Sequence, residues 1–258
     1  MSGDIFFALP FWYQLVLTVA LGAIWGSFVT ALCSRWLRGE SVADGRSHCD
    51  ACQATLRTAD LIPLLSYVLL RGKCRYCFAP IGREAVYIEL VSVIIGLVAI
   101  WAVPDGQVAA AAIFGWLMLP LAILDYEKLW LPNRLVLVLA IMGIFLGPYL
   151  SLDLTFRDQA LGGIFGYLSL EIIRHAFLML RHQEGMGAGD PKLFGAIGIW
   201  LGWELLPFTL LFSCVVGFAY ILLRRAPGKL TTVQLPFGAF LCIAAFMTSA
   251  FTQQNFLP

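Results

Sequence analysis

Charge is what this sequence has least of. Only 13% of its 258 residues are Asp, Glu, Lys or Arg, about half the roughly 25% found in soluble domains. An ordinary water-soluble globule is excluded. Lys and Arg number 17 against 16 Asp and Glu, a net charge of +1, so no basic excess exists from which to build a nucleic-acid footprint. Histidine is scarce as well. His48, His175 and His182 stand far apart, and neither HExxH nor Gly-x-Ser-x-Gly occurs, which leaves a histidine metal site and a serine triad without support. No low-complexity tract or long repeat is visible, and a chain that is 60% hydrophobic is too apolar for disorder.

What the sequence has instead is long uncharged runs. A helix needs about 20 apolar residues to cross a bilayer core. Residues 5–34 carry no charge, which gives a first span at about 11–33. No Lys or Arg precedes it, so it does not read as a cleavable signal peptide. A polar stretch, 35–83, follows. Further crossings are expected at 85–103, 108–124, 135–150, 160–180 and 205–223, and a last one within 230–258, with Pro104-Asp105-Gly106 as a turn. The run 193–203 is short, but a crossing there keeps the charge pattern consistent. The expected fold is therefore an all-α polytopic membrane protein of about eight transmembrane helices. With the amino terminus outside, 15 of the 17 Lys and Arg fall on inside segments, Arg157 lies outside and Arg174 within a helix. The positive-inside rule thus sets the orientation and puts the polar stretch in the cytoplasm.

Four of the seven cysteines sit in that stretch, as Cys49-Asp50-Ala51-Cys52 and Cys74-Arg75-Tyr76-Cys77. The spacing C-x2-C-x21-C-x2-C follows the four-thiolate zinc pattern, in which two tight turns each present two sulfurs to one ion. Two disulfides, or unrelated thiols, are the alternatives; a reducing compartment disfavours disulfides. A closed four-sulfur site would be structural, its binding energy serving as folding energy. Cys33, Cys214 and Cys242 lie in apolar runs and read as buried small hydrophobes.

Two aspartates stand where apolar helices meet the cytoplasmic face. Asp125 ends one, before Tyr126-Glu127-Lys128. Asp190 opens the short sixth helix, in Gly187-Ala-Gly189-Asp190-Pro191-Lys192. Each alone can be a capping or interfacial residue, and Asp190 with Pro191 fits a helix start with the aspartate as cap. Together, at one depth, they suit acid–base hydrolysis of a peptide, in which one carboxylate activates water while the other, protonated, polarises the carbonyl. The glycines permit close approach of a substrate backbone. Glu171 and Arg174 read as an intrahelical pair, and Glu89 as a residue of helix packing or of a polar cavity. Trp12, Tyr13, Trp130 and Trp203 read as interface anchors, and Arg71, Lys73 and Arg75 as solvated or facing anionic lipid.

In combination these motifs resemble the type IV prepilin peptidases, bacterial inner-membrane aspartic proteases. The matching segments run in order along the chain: Gly26-Ser27-Phe28, Arg46-Ser-His-Cys49-Asp-Ala-Cys52, Asp60-Leu-Ile-Pro-Leu-Leu-Ser-Tyr67, Arg71-Gly-Lys-Cys74-Arg-Tyr-Cys77, Asp125 with Leu131-Pro132, Gly187-Ala-Gly189-Asp190-Pro-Lys192-Leu193 and Pro236-Phe237-Gly238. The resemblance implies cleavage of the leader from prepilins or pseudopilins after a glycine, at the cytoplasmic face. It implies Asp125 and Asp190 as the catalytic pair and zinc on Cys49, Cys52, Cys74 and Cys77. N-methylation of the new amino terminus with S-adenosylmethionine is implied too, by the resemblance only, and no residue pattern marks that cofactor's pocket.

The implied organisation is a first transmembrane helix, 1–34, a cytoplasmic zinc-binding domain, 35–84, and a transmembrane peptidase domain, 85–258. Implied partners are the prepilin substrates, membrane lipids and pilus or secretion assembly proteins. The chain departs from the family pattern at Asp50, Asn133, Ala239 and 82–87; the last two are expected to bear on substrate contacts, and none to touch the catalytic or zinc residues. A proton-coupled transporter using the same two aspartates and a non-catalytic scaffold of pilus assembly are the other classes.

Overall fold

The computed structural model describes residues 10–40, 47–49, 51–57, 60, 62–151, 153–183, 185–224 and 235–255. The expectations attached to Arg46, Asp50, Arg225 and Lys229 lie outside the described residues. Two compact units divide the chain, Met1–Trp101 and Ala102–Pro258.

Among the described residues the fold is all-helical, without β-strands, as expected. In the first unit lie α1 (Phe11–Leu37), a five-residue helix α2 (Leu65–Leu69) and α3 (Arg83–Ala102). The second holds α4 (Val108–Lys128), α5 (Asn133–Leu150), α6 (Phe156–Arg181), α7 (Asp190–Leu201), α8 (Leu206–Arg224) and α9 (Phe237–Asn255). Six of these helices are long and apolar enough to cross a membrane, so the chain is a multi-pass membrane protein. All eight runs expected from the sequence are helices, and the Pro104 turn contains a single 3-10 turn, Asp105–Gln107. Only α2 has no counterpart among the expectations.

Glycine sets how close the helices lie. In the first unit Gly22 and Gly26, four apart on one face of α1, bring it onto the backbone of α3. A β-carbon on Gly26 would come within 2.6 Å of Glu89 Cα, and one on Gly22 within 3.0 Å of Ser92 O. In the second unit α6 and α7 meet at Gly162 and Gly198, where a β-carbon on either would overlap the other's carbonyl. Small residues at an interface are how apolar helices associate without a hydrophobic driving force between them.

Being in the middle explains why α7 can be short. Twelve residues span about 18 Å, well under the roughly 30 Å of a bilayer core. Its Leu193, Ile197 and Trp200 are fully buried, packed among α5, α6 and α9. The indole N–H of Trp200 donates to Leu139 O at 2.8 Å, and the buried Gln159 amide donates to Gly143 O at 2.8 Å. Enclosure by protein is the circumstance in which short helices and irregular backbone are tolerated at membrane depth.

Two expectations about single residues are corrected. Cys214 is exposed on the outer face of α8, while Cys33 and Cys242 are buried; in a membrane that face meets lipid, which suits a small hydrophobe as well as a core does. Arg75 is not merely solvated, since its Nε donates to Asp60 Oδ1 at 2.6 Å.

Candidate active site

Asp125 sits in the last turn of α4, which ends when Leu129 turns left-handed at φ 52° and donates its N–H to Asp125 O at 2.8 Å. Asp190 is the first residue of α7. The cap position before it is Gly189, with no side-chain capping bond. This corrects the expectation that Asp190 caps the helix, and it leaves the carboxyl group free of that role. Both aspartates are 4% exposed.

Three segments meet around them, 125–132, 187–190 and 236–239. Oδ2 of Asp125 accepts the backbone N–H of Ala239, in the first turn of α9, at 2.8 Å. Gly238 lies so near that a β-carbon there would come within 3.0 Å of the same oxygen and 2.9 Å of Leu131 Cδ1. On the other side a β-carbon on Gly189 would fall 2.8 Å from Leu131 Cβ. Leu131 is thus gripped between the two glycine-bearing turns. The carboxyl groups of Asp125 and Asp190 interact electrostatically, and both act on the buried Cys242 thiol. From α7, Lys192 Nζ donates to Asn133 Oδ1 at 3.0 Å, so asparagine keeps an acceptor for this lysine. Two buried, mutually interacting carboxyls beside glycines can share a proton and work as an acid–base pair on an extended backbone.

The four loop cysteines form the second site, in the first unit. Around Cys49 and Cys74 the backbone repeats one knuckle. Each cysteine N–H bonds the carbonyl five residues on, Ala54 or Ala79, and each cysteine carbonyl accepts from the residue four on, Gln53 or Phe78. Gln53 and Phe78 are both left-handed, at φ 58°, and isolated bridges His48–Thr55 and Lys73–Pro80 close the two turns. All four sulfurs lie within 4.8 Å of one another, and Cys49 Sγ is 3.8 Å from Cys77 Sγ. A tetrahedral zinc with bonds of about 2.3 Å sets its sulfurs about 3.8 Å apart, so the donor set fits that ion.

Backbone N–H groups of Cys77 and Tyr76 pull the Cys74 thiol down to about 7. Cys77 is pushed up to about 12: the Ala79 N–H works to lower it, but burial and the neighbouring Cys52, Cys74 and Cys49 thiols prevail. Four sulfurs so crowded can all ionise only around a cation. Asp60 ties the two knuckles together. Burial works to raise its carboxyl, but the Arg57 N–H and the Arg75 guanidinium hold it below the usual carboxylate range.

Residues 20–103 match the bacterial peptidase A24 N-terminal domain, and residues 112–222 match the type IV leader peptidase family. A Burkholderia pseudomallei (strain K96243) protein called prepilin leader peptidase/N-methyltransferase is 36% identical across 95% of this chain and 88% of its own length. The chain belongs to the type IV leader peptidase family. Proteins of the same name from Aeromonas hydrophila, at 38% identity, and Pseudomonas aeruginosa, at 36%, match over 78% of this chain and 70% of their own lengths. No solved structure matches.

Set against the leader peptidase family pattern, one departure matters more than expected. Ala239, where the pattern often has proline, does touch a candidate catalytic residue. Proline has no N–H, so the bond to Asp125 exists only because this residue is not proline. The signal was present in Pro236-Phe237-Gly238, but nothing in a linear reading links that motif to Asp125.

Proposed function

We propose that this chain is a membrane aspartic endopeptidase that removes the leader from type IV prepilins or related pseudopilins, and then methylates the new amino terminus. The observation that carries this reading is the pairing of Asp125 and Asp190, both 4% exposed, in one electrostatically coupled site of a chain whose relatives are named prepilin leader peptidase/N-methyltransferase.

In the mechanism the two carboxyls hold one proton between them. The ionised one takes a proton from water as the oxygen adds to the scissile carbonyl carbon, while the protonated one donates to the carbonyl oxygen. As the gem-diol collapses and the C–N bond breaks, the carboxylate left in the first step takes one hydroxyl proton back, and the acid formed in that step protonates the leaving amine. The Ala239 N–H orients Asp125 throughout. Gly187, whose β-carbon position meets only the Asp190 carboxyl group, leaves room for an extended leader junction, while Gly189 and Gly238 let Leu131 and Asp125 pack closely.

Cys49, Cys52, Cys74 and Cys77 would hold zinc, whose role is to fold the loop; with four sulfurs bound it has no open position for chemistry. S-adenosylmethionine, when bound, supplies a methyl group to a neutral amine. The distribution of Lys and Arg supports residence in the bacterial inner membrane with the amino terminus periplasmic and the loop cytoplasmic, and an organisation into 1–34, 35–84 and 85–258. Pilus or secretion assembly proteins are the natural neighbours of such an enzyme.

The test is cleavage of a purified prepilin by wild type, Asp125→Asn and Asp190→Asn, with mass spectrometry of the product. A cut after the leader glycine that both variants lose, while remaining folded, is the expected result. Retained cleavage in either variant would remove the assignment.

A further inference from the structure

Peptide hydrolysis by Asp125 and Asp190 makes no use of Glu89. This acid lies on the apolar helix α3, is 8% exposed, and accepts the Leu64 N–H at 2.8 Å on Oε2. An ionisable side chain within a membrane helix is by default functional. Glu89 lines a cavity of about 340 Å³ inside the first unit, a volume in the range of about 300–1,000 Å³ that holds cofactor-sized molecules. Ser27 and Arg35 line it from α1, Asp60 and Tyr67 from the loop and α2, and Val86 from α3. The close approach at Gly26 sets α1 directly against the backbone of Glu89.

We infer that this cavity is the S-adenosylmethionine site, with the Glu89 carboxylate facing the sulfonium. The inference rests on the methyl-transfer reading above. The ligand carries a sulfonium cation, an amino-acid end bearing one ammonium and one carboxylate, a ribose diol and a flat apolar base. A sulfonium has no N–H to donate, so only charge can recognise it, and a buried carboxylate is costly until a cation meets it. Arg35 is a buried guanidinium matched to the ligand's carboxylate, and bidentate recognition of that group is what arginine does best. Asp60 provides a second acid for the ammonium or the diol. Tyr67 and Val86 offer an aromatic face and an aliphatic one for the base. Cys49 and Cys74 also line the space, which joins the site to the proposed zinc fold.

The experiment is equilibrium binding to the purified full-length protein of two probes, S-adenosylmethionine and its neutral thioether product S-adenosylhomocysteine. Glu89→Gln keeps an acceptor for the Leu64 N–H but removes the charge. It is expected to weaken S-adenosylmethionine at least tenfold while shifting the thioether by less than threefold. Ala31→Phe, which fills the cavity from α1, is expected to lose both probes. Zinc content and melting temperature report whether each variant is folded. Unchanged binding of S-adenosylmethionine to folded Glu89→Gln, or of both probes to folded Ala31→Phe, would overturn the inference. A wild type that cuts prepilin yet binds neither probe would overturn it together with the methyl-transfer reading; a wild type that binds and methylates while the variants bind as well as it does would overturn the cavity alone.

Discussion

The backbone N–H of Ala239 donates to Oδ2 of Asp125 at 2.8 Å, across 114 residues of sequence. A hydrogen bond to a charged group contributes about 1.5–3 kcal/mol, so its loss should be visible in a rate. Ala239→Pro removes the donor at a helix start, where proline is tolerated. Its kcat is expected to fall by about 10- to 150-fold with KM nearly unchanged. Gly238→Ala pushes a β-carbon against both Asp125 and Leu131 and is expected to cost more than about 100-fold in kcat. Single-turnover cleavage of a prepilin measures both; wild-type rates in the two variants would show that this contact has no part in the reaction.

The thiol cluster should respond to metal and acid together. Ligation needs thiolate, so protons compete with zinc and binding weakens as pH falls. Cys49→Ser is expected to lose stoichiometric metal by elemental analysis and to lower the melting temperature. Metal content equal to wild type would end the zinc assignment.

Asp60 and Arg75 make a pH-dependent link between the knuckles. The folded-state value of Asp60 is depressed, so its contribution is fully present above the unfolded value of about 3.9 and is lost as pH falls through the folded one. Asp60→Asn is expected to release zinc to a chelator faster at pH 7, and to flatten the acid-side decline in retention that wild type shows. Identical release rates at pH 7 would assign the knuckle geometry to the backbone alone.

Substituting the α6–α7 contact should be costly in a way its chemistry does not suggest. Gly198→Ala adds one methyl group where the nearest atom is a carbonyl of Gly162. Overpacking of this kind costs about 1–3 kcal/mol or more, so the melting temperature in detergent should drop by several degrees, and Gly198→Leu should fail to accumulate. A Gly198→Ala protein as stable as wild type would mean that the helices separate easily.

Much of this was legible in the chain, because the bilayer imposes long uncharged runs and the Lys and Arg residues punctuate them. The positions of α1 and of α3 to α9 follow from that pattern. The cysteine spacing likewise foretells two sulfur-presenting turns, since the knuckle is a local structure. What escaped the linear reading depends on contacts between distant segments. Asp190 looked like a helix cap because Asp-Pro starts helices, yet Gly189 holds that position. Ala239 looked remote from the proposed catalytic pair because the turn that joins it to Asp125 is tertiary. Glu89 could not be assigned between packing and a polar cavity until the residues around it came together, and Arg75 found its carboxylate fifteen residues upstream.

The glycine-to-glycine seam between α6 and α7 has a mechanical consequence. Side chains at a helix interface can change rotamer and so let the helices slide, but two bare backbones in contact have nothing to rearrange. Asp190, at the head of α7, is therefore anchored to a rigid pair. Asp125 stands in the last turn of α4, where the backbone N–H groups of Ala239 and Gly238 at the start of α9 meet its carboxyl group. An opening that admits a substrate is therefore expected at a contact other than the α6–α7 seam, with Asp190 staying fixed to that pair.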